Sequence, residues 1–306
     1  MFDFVTKRNL FLIGSAIVAF ICLISAVIPG GLKAGIDFKG GISITLGPKE
    51  GETLTLEQVE QKLDELGLTQ RIVQKLGEDS YFIRIGELGD IEQTQLRSEL
   101  DKLGTVQQFD SVSPVVASET TRNAAIASVV AIIAMLLYIA WAFRKVPNPF
   151  RYGTCAVIAL IFNRLITLGV FSFLGRTSNW EIDPMFITAM LAIIGYSVND
   201  TIVVLDRIRE NLGRGISPDF GTTVNHGINQ TLGRSLNTSV TTVLAVLAVY
   251  LFVGGPISHF LIALFVGIVA GTYSSIFIAS QLMIVWEKGE WNRLVPRVPR
   301  LQRNKE

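Results

Sequence analysis

The stretch GYSVNDTIVVLDRIREN, Gly195 to Asn211, closes an apolar run that begins PMFITAMLAII at Pro184. Its first half is long and greasy enough for a membrane helix, and its second half is a charged helical end. Between the two stands Asp200. A charge inside a bilayer costs at least about 2.5–3.5 kcal/mol on insertion scales, so an intramembrane carboxylate marks function and needs a partner or a proton. At 1.5 Å per residue the 16 residues from Pro184 to Asp200 span about 24 Å. Against a hydrocarbon thickness of about 30 Å, this sets Asp200 in the inner part of the membrane, toward the far surface.

The rest of the chain agrees with a membrane setting. Of its 306 residues 49% are hydrophobic and 17% charged, a balance that soluble domains rarely show. The net charge of +1 gives no reason to expect nucleic acid. Six segments are apolar over about the 20 residues that a bilayer demands, near 9–29, 122–143, 152–174, 184–205, 235–254 and 257–285. The first, after Lys7 and Arg8, is too long for a signal peptide and lacks a small-residue cleavage site, so an uncleaved helix is expected. Cys22 and Cys155 both sit in apolar runs and suggest neither a disulfide nor a metal. His226 and His259, the two histidines, have no second ligand nearby, and no cofactor is expected.

Basic residues set the orientation. Lys7/Arg8, Arg144/Lys145/Arg151, the 206–233 loop and the tail 287–306 carry the Lys and Arg clusters, whereas 175–183 holds one Arg and the turn 254–256 none. By the positive-inside rule both termini are cytoplasmic and the large insert 31–120 lies outside. The expected domains are therefore a first membrane helix (1–30), an exported domain (31–120), a five-helix bundle (121–286) and a basic tail (287–306).

The insert has its own rhythm. GISITLGP (41–48) alternates like a strand, and LTLEQVEQKLDELG (54–67) sets Leu56, Val59, Leu63 and Leu66 at helical spacing. Two strands follow around the turn GED, then the amphipathic helix 91–104 and a last strand, 105–116. The order β-α-β-β-α-β predicts an α+β ferredoxin-like domain. It holds no His, no Cys and no suggestive pair of carboxylates, so binding rather than catalysis is expected of it. At its root lies GIDFKGG, where Gly35, Gly40 and Gly41 permit either a loose joint or a specific hinge in which Asp37 matters.

Further polar residues interrupt the membrane segments. Arg234 stands 20 residues from Gly254, about 30 Å from the outer side, at nearly the depth of Asp200. An Asp200–Arg234 pair is expected. Arg234, Asn237, Thr238 and Thr241 recur at helical spacing and predict a polar stripe, and Tyr196, Asn199, Asp200 and Val203 share a face of the neighbouring helix. Two such faces at one depth would hold water and pass protons. Ser197 and Thr201 read as ordinary hydrogen-bonding residues. Arg164, after Asn163, falls about 18 Å into its helix, the costliest depth for Arg, and is expected to reach Asp200 or its cavity. Gly267, Gly271 and Ser275, four apart, form a close-packing face. The charged run Asp206, Arg207, Arg209 and Glu210 reads as a solvated helix on the cytoplasmic surface.

GIDFKGG, GYSVNDTIVVLDRIREN and NQTLGRSLNTSVTT, in this order and topology, resemble the SecD/SecF family of the RND superfamily over the whole chain. Asn-Asp-Thr at 199–201 favours its SecF branch. The resemblance implies a subunit that pairs with SecD, associates with the SecY channel in the bacterial cytoplasmic (inner) membrane, and uses the proton gradient to draw unfolded preprotein across. It places Asp200 and Arg234 on the proton path and makes the exported domain the grip on the emerging chain. One departure stands out: the family's usual His-Asp pair in the third helix is Asn163-Arg164 here, so the relay does not transfer intact.

Two other readings compete. An RND-type half-transporter for a lipid or small hydrophobic molecule fits a single six-helix unit. An intramembrane aspartyl protease needs two facing carboxylates. Asp200 is the one convincing candidate, since Asp206 lies at the surface and Asp183 at the outer edge, so no enzyme is expected.

Overall fold

The computed structural model describes residues 2–49, 53–69, 71–76, 80–86, 93–144, 149–178, 180–253 and 257–290. The expected GED turn (77–79), Lys145, the turn 254–256 and most of the basic tail lie outside the described residues. The chain divides into two compact units: Ala34–Ala127 with Glu181–Pro184, and the remainder.

The smaller unit is built on a four-stranded antiparallel sheet. Its strands are β2 (Gly41–Gly47), β3 (Arg71–Leu76), β4 (Ser80–Ile85) and β5 (Thr105–Val112), in the order β3-β4-β2-β5. A separate short sheet joins β1 (Lys33–Ala34) to β6 (Glu181–Ile182). In the central strand Ile44 pairs with Ile83 on one side and Phe109 on the other. Every residue of β2 after Ile42 is buried, so the strand read as alternating is covered on both faces.

Helices α3 (Leu56–Glu65) and α4 (Gln93–Leu103) supply Val59, Leu63, Leu96 and Leu100, each fully buried against Ile44, Leu46 and Ile83. Helix α3 starts where it does because Thr55 and Gln58 close a reciprocal capping box. The last strand ends at Val112 rather than 116. Pro114 takes the first helical position of α5 (Pro114–Ala142), where its missing N–H costs nothing.

GIDFKGG is an ordered turn, not a loose joint. Ile36–Lys39 form the single-turn helix α2, and the Gly35 N–H donates to Ile182 O at 2.8 Å. Gly40 and Gly41 adopt φ of 81° and 127°, and a Cβ on Gly41 would lie 2.6 Å from Ile85 O. Only glycine satisfies both the backbone conformation and the close approach.

The larger unit holds the helices long and apolar enough to cross a membrane. Six such spans are found among the described residues. They are α1 (Arg8–Val27), α5, α6 (Pro149–Thr177), α7 (Pro184–Gly213), α8 (Phe220–Phe252) and a last span, Ser258–Lys288. That last span divides into α9 (Ser258–Ser274), a π-helical turn (Ser275–Ala279) and α10 (Ser280–Lys288).

Glycines set the spacing of these helices. A Cβ on Gly169 would lie 2.4 Å from Cys22 on α1, one on Gly227 2.7 Å from Ile208 on α7, and one on Gly267 would collide with Ile193 on α7. Without small residues at these points the backbones could not approach so closely.

Helices α7 and α8 run beyond the apolar segments that predict them. Residues 206–213 continue α7, and 220–233 open α8 behind Asp219, whose carboxylate caps the Thr222 N–H at 2.8 Å. The expected loop 206–233 is thus mostly two helical ends joined by a short turn. They hold together because Leu205, Ile208, Val224 and Ile228 are buried between them. The chain's first residues lie along α8, where Asn225 and Asn229 bond the backbone of Phe2 and Phe4.

Candidate functional site in the membrane bundle

Asp200 sits on α7 facing α8. The Ser235 hydroxyl donates to its Oδ1 at 2.5 Å. The Ser275 hydroxyl also faces the carboxyl, yet Asp200 Oδ2 is buried with no hydrogen-bond partner. Arg234 is close enough to attract the carboxylate through space, but it forms no ion pair with it. The expected Asp200–Arg234 pair is therefore replaced by a hydroxyl contact from the next residue along α8.

The reason is the face that α8 turns inward. Thr231, Ser235 and Ser239, one helical turn apart, are buried, whereas Arg234, Asn237, Thr238 and Thr241 are exposed. The predicted stripe exists, but it points out of the bundle. Its threonines satisfy themselves: Thr238 Oγ1 donates to Arg234 O at 2.9 Å, and Thr241 Oγ1 bonds Asn237 O. Such bonds back to the preceding turn let a threonine face hydrocarbon. Asn199, beside Asp200, is likewise exposed.

The inward stripe continues away from Asp200. Tyr196 Oη donates to Ser239 Oγ at 3.0 Å, and Ser239 Oγ lies 2.5 Å from Thr272 Oγ1 on α9. Toward the π-helical turn, Thr201 Oγ1 donates to Ser197 O at 2.9 Å and lies 2.8 Å from Ser275 Oγ. The carboxyl thus meets hydroxyls from α8 and from the π-helical turn, with further hydroxyl pairs beside it in the bundle. None of Ser235, Ser239, Thr272 and Ser275 stands out in sequence, because small hydroxyl residues are common in membrane helices. The one available signal was the four-residue spacing of Thr231, Ser235 and Ser239.

Asn163 and Arg164 lie on α6. Asn163 is buried, and neither atom of its amide has a partner. Arg164 is half-buried, its Nε has no hydrogen bond, and no ion pair to Asp200 is found among the described residues. Of the two expected placements of Arg164, direct contact with Asp200 is not found among the described residues, and its half-buried side chain keeps it on the bundle. The α7 end carries the ion pairs Arg207–Glu210 at 2.6 Å and Arg209–Asp206 at 2.7 Å. These are partly exposed, lace one helix, and contribute little individually.

Within the smaller unit a second polar cluster forms. Glu181 is buried and pairs with Arg84 of β4, which is mostly buried. Burial lowers the Arg84 pKa to about 10, opposed by the Asp37 carboxylate. Asp37 is pushed above the usual carboxylate range, first by burial and then by the negative charge of Asp183, with Asp110 adding to it. So Asp37, singled out in sequence for its glycines, belongs to an ordered charged cluster. Groups of His, Cys, Asp and Glu arranged to hold a metal are absent among the described residues.

Comparison with known proteins places this architecture. Residues 93–289 match the family described as protein export membrane protein SecD/SecF, C-terminal. The protein translocase subunit SecF of Thermobaculum terrenum is 40% identical, over 89% of this chain and 92% of its own. That of Anaerolinea thermophila is 38% identical over 97% and 98%. The SecDF subunit of Bacillus subtilis is 33% identical over 94% of this chain, which spans 38% of the relative. The crystal structure of SecDF from Thermus thermophilus, a translocon-associated membrane protein, superposes with a TM-score of 0.81 at 32% identity, over 94% of this chain and 39% of that one. A six-span bundle with an intramembrane carboxylate, and relatives of the same length that are translocase subunits, lead to one conclusion: the chain is a multi-pass membrane protein of the SecD/SecF protein-export family.

Proposed function

We propose that this chain is a non-enzymatic, proton-driven subunit of the Sec protein-export machinery, and that Asp200 is the group that takes and releases the proton. The observation that carries this reading is the half-satisfied carboxyl. A purely structural pin would have both oxygens bonded or paired with a cation. Asp200 has one oxygen held by Ser235 and the other free to accept a proton. The hydroxyls of Ser235, Ser275, Thr201, Ser239 and Tyr196 supply donors that rotate, which a relay requires. Asn163 and Arg164 bring further polarity into the same bundle.

Asn199, Arg234, Asn237, Thr238 and Thr241 form an exposed polar face at membrane depth. A cation facing lipid is costly, so this face belongs against another polar surface. SecD is the partner that fits, since relatives exist in which the two are one SecDF chain. The remaining assignments follow the basic residues and the family. Both termini are cytoplasmic, the membrane is the bacterial inner membrane, and 31–120 is the exported domain of ferredoxin-like type. The SecY channel and unfolded preprotein are its working partners. The glycines and Asp37 of GIDFKGG anchor the exported domain rather than loosen it.

The test is export of a slow-folding secreted protein in inverted vesicles holding this chain, SecD and the SecY channel. Asp200→Asn is expected to remove the gradient-dependent part of export at matched protein level. Unchanged gradient dependence would return Asp200 to a structural role.

A further inference from the structure

The bundle contains a second polar place, separate from the Asp200 carboxyl. Asn163 is 1% exposed and Ser197 fully buried. The two amide atoms of Asn163 and the hydroxyl of Ser197 all lack hydrogen-bond partners. Native interiors rarely leave such groups unbonded, and a membrane interior offers no bulk water to satisfy them.

The two side chains converge on one point. A methyl carbon built on Gly271 of α9 would lie 3.0 Å from Asn163 Nδ2 and 3.3 Å from Ser197 Oγ. Three helices therefore meet over a glycine, with a donor from α6 and a hydroxyl from α7 aimed at the same space. The two atoms are not bonded to each other, so a small bridging molecule completes them. Asn163 also presents a carbonyl oxygen, which brings the available groups to the two to four that a buried water uses. A cation is the wrong occupant, because Asn163 Nδ2 points a donor into the site and the Gly271 carbonyl is already taken by Ser274 and Ser275.

The place is also close to the Asp200 hydroxyls. The backbone carbonyl of Ser197 accepts from Thr201 Oγ1, which lies 2.8 Å from Ser275 Oγ, the hydroxyl that faces Asp200. Ser275 opens the π-helical turn, and such turns in membrane helices recur at functional sites.

We propose that Asn163 and Ser197, brought together over Gly271, bind an ordered water inside the membrane bundle, one helical turn from the Thr201–Ser275 hydroxyl pair beside Asp200. The water site stands on its own geometry, whereas its service as the proton's approach to Asp200 rests on the relay reading above. Gly271 is then required for the room it leaves, and Asn163 for hydration rather than for charge.

The experiment is X-ray hydroxyl-radical labelling of the full chain in lipid nanodiscs, in which a bound water generates the radical beside its own neighbours. The variant Ser197→Cys places an oxidisable sulfur at the site. Cys155, buried on α6 among apolar side chains, is the dry reference within the same molecule. Peptide mass spectrometry is expected to show the sulfur at position 197 oxidised at least tenfold faster than Cys155. Adding Gly271→Ala is expected to bring the rate down to that of Cys155. Equal slow rates at both sulfurs overturn the water site, and a rate untouched by Gly271→Ala overturns the role of the glycine. If Ser197→Cys does not accumulate in the membrane, Asn163→Cys is read in the same way, with the same outcomes. The result is independent of export: a wet site in a chain whose Asp200→Asn variant keeps gradient-dependent export leaves the water and removes the relay.

Discussion

The smaller unit and the membrane bundle treat buried polarity in different ways. In the smaller unit the core of Ile44, Leu63, Ile83, Leu96 and Leu100 is apolar, and the buried charges Arg84 and Glu181 are set together as an ion pair, although Arg84 Nε and Glu181 Oε2 have no further hydrogen bond. In the bundle uncharged polar groups and one carboxyl are set among apolar side chains such as Val198, Val204, Ile208 and Val224. Asn163, Ser197, Gln281 and one oxygen of Asp200 are buried there without partners. The lesson is where each unit obtains its stability. A sheet covered by two helices in water gains from burying hydrocarbon. Helices already surrounded by hydrocarbon gain nothing from it, and associate through close packing and polar contacts. A polar interior is thus affordable in the bundle, and it is where function can be kept.

The largest break in this comparison is expected at the ion pair. Glu181→Gln leaves the Arg84 guanidinium buried without its carboxylate, and losing one partner of a buried pair costs about 3–5 kcal/mol. Hydrogen exchange of β4 in the full chain is expected to accelerate accordingly. A change within experimental error would mean that Asp37 takes over Arg84 entirely. Leu63→Ala comes next. It removes buried methyl groups from the sheet's helical cover and is expected to cost about 2–5 kcal/mol. The same exchange measurement, now on β2, reports it, while the bundle amides stay unchanged if the two units are energetically separate.

A change of charge without a change of packing ranks below both. Asp37 titrates above its unfolded value, so the folded state prefers the protonated acid. Its contribution is fully present below the unfolded value and is lost as pH rises through the raised one. Asp37→Asn is therefore expected to stabilise the smaller unit at neutral pH and to have no effect in strong acid. A stability difference between the variant and the natural chain that stays flat with pH would remove Asp37 from the titrating cluster.

The two units also differed in how legible they were. Helix and strand periodicities located α3, α4 and the strands: α3, α4 and β4 each turn one face to the core and the other outward, whereas β2, though covered on both faces, still alternates in sequence. The six spans were equally plain, since length and apolarity suffice. The inward face of α8 was not. Arg234, Asn237, Thr238 and Thr241 form one polar stripe and Thr231, Ser235 and Ser239 another, and hydrophobicity cannot rank two polar stripes in a helix with no aqueous side. The larger side chains pointed to the wrong one. The helical character of the run after Asp206 was legible, but its packing was not, because Ile208, Val224 and Ile228, which are buried together, are diluted by charges that lie on other faces. GIDFKGG was ambiguous because Gly35 bonds a residue of β6, which comes far later in the chain.

The smallest effect discriminates most. Ser197→Ala deletes a single buried hydroxyl, and the sign of its effect depends on what that hydroxyl meets. A hydroxyl left unbonded in a dry interior costs about 1–3 kcal/mol, so its removal would stabilise the bundle by that order. A hydroxyl bonded to an ordered water contributes about 0.5–1.5 kcal/mol, so its removal would destabilise by that order. With the water site over Gly271 the second outcome is expected, as a modest loss in the midpoint of detergent-denaturant unfolding followed on the bundle helices. Asn163→Leu is expected to shift it in the same direction, and the pair together by less than the sum, because both side chains hold the same water. Independent effects, or a gain in stability from either substitution, would make the bundle interior dry at this place and set its polarity down to packing alone.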